Sequence, residues 1–155
     1  MKKITPCLWF DNQLEEAISF YSSIFPDSEL LTISRYPEGT PGLAGKVLTA
    51  TFRLAGQEFI ALNGGPMFKF TEAVSLSVDC KDQEEIDFYW SRLSEYGEES
   101  MCGWLKDKFG LSWQVVPENL GALIYHPDPE KAQLGMQALL KMRKIDINAL
   151  KQAVE

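Results

Sequence analysis

The side chains able to do chemistry are few in this sequence, and their spacing keeps them apart. The single histidine, His126, lies in Ile124-Tyr125-His126-Pro127-Asp128-Pro129, a loop composition in which an imidazole ordinarily makes local hydrogen bonds. The three cysteines, Cys7, Cys80 and Cys102, form no CxxC pair, and an odd count argues against a disulfide framework. They read as reduced, semi-buried thiols, and Cys102 has no visible base to activate it as a nucleophile. Without an imidazole in a site, proton transfer near neutral pH would fall to a perturbed carboxylate, lysine or cysteine. Lys106 and Asp107 are adjacent candidates, although an Asp at a turn more commonly accepts hydrogen bonds from its own backbone. A metal site needs three or four aimed N, O or S donors, and no run here supplies them at metal-binding spacing.

Those two residues belong to the most informative stretch, Cys102-Gly103-Trp104-Leu105-Lys106-Asp107-Lys108-Phe109-Gly110-Leu111-Ser112-Trp113-Gln114-Val115-Val116-Pro117. Residues 103–106 and 111–116 predict two strands around a tight Asp-Lys-Phe-Gly turn, where Gly110 can take positive φ without steric cost. Side chains alternate across such a hairpin, so one face, with its aromatics and Gln114, could line a cavity.

The elements before this hairpin come in an order that is used twice. Residues 4–10 predict a strand, and 14–25 a helix, because Leu14, Ala17, Ile18, Tyr21 and Phe25 recur at helical spacing. Strands follow at 29–36, 46–54 and 58–63, with a Pro- and Gly-rich loop at 37–42, and Gly64-Gly65-Pro66 separates the halves. Laying 6–11 over 74–79 without a gap then puts Leu8 on Leu76, Asp11 on Asp79, Glu16 on Glu84, Ile18 on Ile86 and Phe20-Tyr21 on Phe88-Tyr89. Matches spread over a strand, a turn and a helix indicate an internal repeat. The second copy predicts a helix at 83–96 with Gly97 as its C-cap, then strands at 100–106 and 111–116, with Gly110 corresponding to Gly56.

The expected organisation is one domain, 1–155, made of modules 3–65 and 71–117 with a helical tail at 118–155. In the tail, a short helix can start at 117–120, Pro129 opens a helix over 129–142, and Asp146 caps 147–154. Leu134, Met136, Leu139, Leu140 and Met142 are packing residues expected to dock on a sheet or on a second subunit. No run approaches a membrane span and the first residues lack the apolar core of a signal peptide, so a cytoplasmic location is expected. A formal charge of −7 disfavours nucleic-acid binding, which needs clustered Lys and Arg. The one dense basic run, Lys141-Met142-Arg143-Lys144, reads as the last turn of a helix.

A βαβββ module repeated twice, with a hairpin ending Asp107-x-x-Gly110-x-x-Trp113, resembles the vicinal oxygen chelate superfamily of glyoxalase I, extradiol dioxygenases and fosfomycin and bleomycin resistance proteins. Several runs resemble its PhnB-like branch, labelled 3-demethylubiquinone-9 3-methyltransferase: Ile4-Thr5-Pro6 with Leu8-Trp9-Phe10, Glu15-Glu16-Ala17 with Phe20-Tyr21, Leu62-Asn63-Gly64-Gly65-Pro66, Gln83-Glu84-Glu85, and Cys102 through Asp107. The resemblance implies an α+β fold in which two βαβββ modules form a cleft, plus C-terminal helices, often in a homodimer.

It also implies a divalent metal held by His, Glu or Gln from the first and last strands, acting as a Lewis acid. Those positions fall near Thr5, Ala73, Ile60 and Gln114, and of these only Gln114 could readily coordinate. The expectation is therefore a protein with no metal and no cofactor, binding a small organic molecule in a cleft walled by Cys7, Trp9, Ser75, Ser77, Trp104 and Gln114. The catalytic residues are unknown. The alternative is an enzyme acting on a small metabolite, either the methyltransferase of the family label or a metal-dependent lyase or dioxygenase. The Gly-rich run 62–66 does not support methyl-donor binding of the Rossmann type, because a further strand rather than a helix follows it.

Overall fold

In the first half of the chain, β1 (Cys7–Phe10), α1 (Leu14–Ile24), β2 (Glu29–Arg35), β3 (Val47–Leu54) and β4 (Gln57–Asn63) build a sheet of order β1-β4-β3-β2. β1 runs parallel to β4, and the other pairs are antiparallel. The first strand starts later than the expected residue 4. Pro6 has no N–H to give the ladder, and only its carbonyl joins, accepting from Ile60 N at 2.9 Å. The β3–β4 turn is the two-residue Ala55-Gly56, both at positive φ (47° and 81°), the geometry that matches strand twist. α1 buries Leu14, Ala17, Ile18 and Tyr21, as its spacing predicts, together with Ile24, and packs on β3 and β4, while Phe25, also predicted on this face, is the extended C-cap residue.

The second half repeats the pattern with β5 (Ser75–Cys80), α2 (Gln83–Ser94), β6 (Glu98–Glu99), β7 (Trp104–Lys106) and β8 (Ser112–Pro117), in the order β5-β8-β7-β6. β5 is parallel to β8, as β1 is to β4. The computed structural model describes residues 2–155, and its two compact units divide at Phe70 and Thr71. Among the described residues, no helix is long and apolar enough to cross a membrane.

Two expectations in this half need correction. The predicted strand 100–106 is broken, since Cys102 and Gly103 take successive positive φ (60° and 81°) and β7 begins only at Trp104. Their N–H groups leave the sheet and donate to the carbonyls of Met142 (2.7 Å) and Arg143 (2.8 Å) in the tail. Gly97 is not the left-handed cap of α2; Tyr96 takes that conformation, at φ 59°. Gly97 is required instead by closeness, because a Cβ there would lie 2.1 Å from the Lys106 carbonyl oxygen.

The tail forms α3 (Leu120–Ile124), α4 (Pro129–Leu140) and α5 (Ile147–Ala153). Of the two docking surfaces expected for it, the structure shows the chain's own second unit. Val116, Leu123, Ile124, Leu139, Ile145 and Leu150 form one buried cluster, joined at its edge by Met136, Met142 and Cys102. Complete burial of Ile145 and Leu150 contributes roughly 1.5–3 kcal/mol each. Gln83, the first residue of α2, ties the tail to that helix: its Nε2 donates to Ile145 O (3.0 Å) and its Oε1 accepts from Ile147 N (2.9 Å). Lys144, in the basic run, pairs with Asp87 on α2 at 2.8 Å and holds that carboxyl below its ordinary range.

Adding a methyl group at Gly97 should force the α2–β6 turn away from β7, whereas Gly39 has open space around its Cα and an ordinary φ. Urea unfolding should show Gly97→Ala destabilised by about 2–4 kcal/mol and Gly39→Ala within about 0.5 kcal/mol of wild type. Equal stability of the two variants would show that the close approach has no energetic weight.

Candidate functional site

Each sheet has one face under its helix and one open face. In the second unit, Leu76, Trp113 and Leu105 lie opposite one another across β5, β8 and β7, and Val78 lies opposite Val115, on the face covered by α2. Strand alternation sends Ser75, Ser77, Ser112, Gln114, Trp104 and Lys106 to the other face. Ser77 and Trp104 both stand across from Gln114, and Gln114 Nε2 donates to Ser75 Oγ at 2.9 Å. Four of the six predicted wall residues, Ser75, Ser77, Trp104 and Gln114, are thus brought together on one half-exposed polar surface.

The other two lie on the open face of the first sheet, Cys7 opposite Ile60 and Trp9 opposite Leu62. Cys7 is exposed, not semi-buried as expected, and desolvation by the surrounding protein raises its thiol above the ordinary value, which disfavours the nucleophilic thiolate. Trp9 is committed to packing. Its Nε1 donates to Gly65 O at 2.9 Å, its ring meets Phe68 edge-on at 5.0 Å, and a Cβ on Gly64 would lie 2.4 Å from the indole. The Gly-Gly-Pro segment is therefore glycine-rich so that backbone can lie against Trp9.

Asn63, the last residue of β4, has a larger role than its place in the strand implies. It is 4% exposed; its Oδ1 accepts from Leu14 N (3.0 Å), its Nδ2 donates to Val47 O (3.1 Å), and its carbonyl accepts from Tyr36 Oη (2.7 Å). One side chain caps α1, whose N-cap Gln13 makes no side-chain bond, and holds that helix to β3 and β4.

The hairpin candidates resolve into structure. Asp107 is 2% exposed, and its Oδ1 accepts from Phe109 N (2.8 Å) and Leu111 N (3.1 Å) while Oδ2 accepts from Trp113 Nε1 (2.9 Å). It is a turn-forming carboxylate, not a proton shuttle. Lys106 pairs with Glu72, whose hydrogen bond and charge hold the ammonium above its ordinary value, so Lys106 is no general base at neutral pH. Cys80 is fully buried, and burial, followed by the charges of Glu85, Asp79 and Asp82, pushes its thiol up to about 12. Cys102 packs against the tail cluster, and His126 Nδ1 accepts from Asp128 N at 3.0 Å, the local hydrogen bond expected of it.

The strand pairing corrects one alignment. Gly56 and Gly110 share a local role, but the turn after β3 has two residues (55 and 56) between its paired ends, and the turn after β7 has five (107 through 111). Cys7, equivalent to Ser75, pairs with Ile60, whereas Ser75 pairs with Ser112. By pairing, then, Ser112 corresponds to Ile60, and Gln114 to Leu62. Between them the two alignments put Ile60, Leu62, Ser112 and Gln114 at the last-strand positions, and of these only Gln114 could readily coordinate, too few donors for a divalent metal. Among the described residues, no group of three His, Cys, Asp or Glu could hold one. Sequence reasoning also missed Ser112. It is 1% exposed, and its Oγ has no hydrogen-bond partner among the described residues; alternation with Gln114 was the signal that could have found it.

Two four-stranded sheets with the same β1-β4-β3-β2 order, each with a parallel outer pair and one open face, define a protein of the vicinal oxygen chelate superfamily. Residues 2–116 match the family described as 3-demethylubiquinone-9 3-methyltransferase, and the chain belongs to that family. A PhnB protein from Bacillus cereus is 43% identical over 74% of this chain and 99% of its own, with a TM-score of 0.68. Two further structures are similar in fold. Protein PA1353 from Pseudomonas aeruginosa is 21% identical over 76% of this chain and 98% of its own (TM-score 0.61). The fosfomycin resistance protein of Listeria monocytogenes, solved with Mn(II) and sulfate, is 18% identical over 74% and 92% (TM-score 0.51). No curated protein sequence matches the chain.

Alkylation of the native protein followed by peptide mapping should label Cys7 and spare Cys80 throughout pH 7–9, because a thiol pushed up to about 12 has almost no thiolate there and is sealed from reagent. Denaturant should make Cys80 reactive. Labelling of Cys80 in the native state would contradict its burial.

Proposed function

We propose that the protein binds a small organic molecule on the open face of the second sheet without metal coordination. The observation that carries this reading is the polar open surface of the second sheet, where Gln114 is positioned by Ser75 and flanked by Ser77 and Trp104. An amide and hydroxyls beside an indole offer directional hydrogen bonds and a flat apolar wall, the composition of a small-molecule site. Cys7 lines the first sheet's face, with Trp9 as a packed support. The donor chemistry supports metal independence, since no carboxylate or imidazole stands at the positions the superfamily would use. Methyl transfer, the enzymatic alternative, rests on the family's description alone.

The protein acts as a homodimer in this reading. The family resemblance supports it, as do Leu134 (51% exposed) and Leu140 (57% exposed) on α4, which the tail leaves uncovered. A cytoplasmic location accords with three free cysteines.

A thermal-shift screen of small metabolites, including a methyl donor, should find at least one ligand that raises Tm in wild type and binds at least tenfold more weakly to Gln114→Ala, a loss of about 1.4 kcal/mol. Mn, Fe, Ni and Zn should leave Tm unchanged, and sedimentation should give a dimer at micromolar concentration. A stoichiometric metal with a Tm rise of several degrees would overturn metal independence, methylated product would establish the enzyme, and a monomer would remove the dimer.

A further inference from the structure

At one end of the same open face, a recess of about 120 Å³ is lined by Glu72, Glu98, Ser100, Trp104, Lys106 and Ser112. We propose that this recess is a subsite for the ammonium group of a small primary amine. The proposal rests on the small-molecule reading above and names its ligand class.

Three observations converge on it. Ser112 is among the residues lining the recess, and its Oγ is buried and without a partner among the described residues. A buried hydroxyl left unbonded carries a desolvation cost that a ligand atom can recover. The charge around the recess has a sign: Lys106 stands directly across the β6–β7 ladder from Glu98 and is ion-paired with Glu72, so two carboxylates surround one ammonium. An incoming anion would face Glu98 and would have to displace Glu72 from Lys106. An incoming cation meets a carboxylate that its neighbours leave in excess. Finally, the volume exceeds the roughly 30 Å³ share of one water molecule several-fold, and the Trp104 indole borders it. A primary ammonium brings three donors, suited to the Glu98 carboxylate and the Ser112 hydroxyl, while the attached carbon lies against the indole, whose face attracts cations. The net charge of −7 favours approach of the same sign.

The test is an NMR titration of the full chain with ethanolamine and, at matched ionic strength, acetate. Ethanolamine should shift the Trp104 indole and Ser112 amide signals saturably, acetate should not, and Ser112→Ala and Glu98→Gln should each weaken the amine at least tenfold. Well-dispersed spectra of both variants establish that they fold. The proposal is overturned if acetate binds as well as the amine, if the amine produces no saturable shift, or if its binding survives both substitutions. A metabolite whose binding depends on Gln114 but not on Ser112 or Glu98 would sink the subsite and leave the small-molecule reading standing. An empty screen would remove both.

Discussion

A single buried carboxylate sets the geometry of the second unit. Asp107 sits at the end of β7 with water excluded, where an unpaired charge would cost several kcal/mol. Three N–H donors converge on it, two from the turn backbone and one from the indole of Trp113. Meeting that demand closes the five-residue turn, orients Trp113 toward the α2 side, and thereby sends Ser112 and Gln114 to the open face. The same stretch of backbone passes within contact of Gly97, where any side chain would collide with the Lys106 carbonyl. A requirement for local hydrogen bonding thus propagates into the positions of Ser112 and Gln114 on the candidate surface.

The two copies of the repeat have solved the same packing problem differently. In the first unit the helix start is capped from a distance by Asn63, and the hairpin is closed by the shortest strand-compatible turn. In the second, Asp82 caps α2 directly by accepting from Glu85 N, and the hairpin is wider. Buried helix positions shift as well. Tyr21 is fully buried, while its equivalent Tyr89 is half-exposed and Trp90 takes over the core. The tail accounts for part of this asymmetry. It takes the N–H groups of Cys102 and Gly103 and the side chain of Gln83, none of which has a similar partner in the first unit.

Most of the residues that looked chemically capable are engaged in holding the fold. Asp107 accepts from two backbone N–H groups and the Trp113 indole, Trp9 and Asn63 hydrogen-bond to backbone, Cys80 is sealed in the core, and Cys102 packs against the tail. The uncommitted chemistry lies on the open face of the second sheet, where hydroxyls, an amide, an indole and a charged cluster share one surface. Such a surface offers directional hydrogen bonds beside a flat apolar wall. One scaffold hosts many chemistries, so the fold alone does not name the reaction.

The sequence alone determined the repeat, the helix faces and the hairpin. Each is a matter of local periodicity or of a turn that only particular residues can make: Leu14, Ala17, Ile18 and Tyr21 line one stripe at 3.6-residue spacing, and Gly110 takes the positive φ that closes the turn. It also placed Ser75, Ser77, Trp104 and Gln114 on one wall, because strands alternate with period two. The tertiary structure decided which strand residues stand opposite one another, since register depends on the number of residues in each turn, and that aligned Ile60 with Ser112 rather than with Gln114. It likewise decided that Asn63 caps a helix 49 residues away, that Gly97 is needed for an approach to distant backbone, and that Ser112 is buried beside a Lys106–Glu72 pair. These are contacts between residues far apart in the chain, and no pattern within a short window of sequence encodes the distance between them.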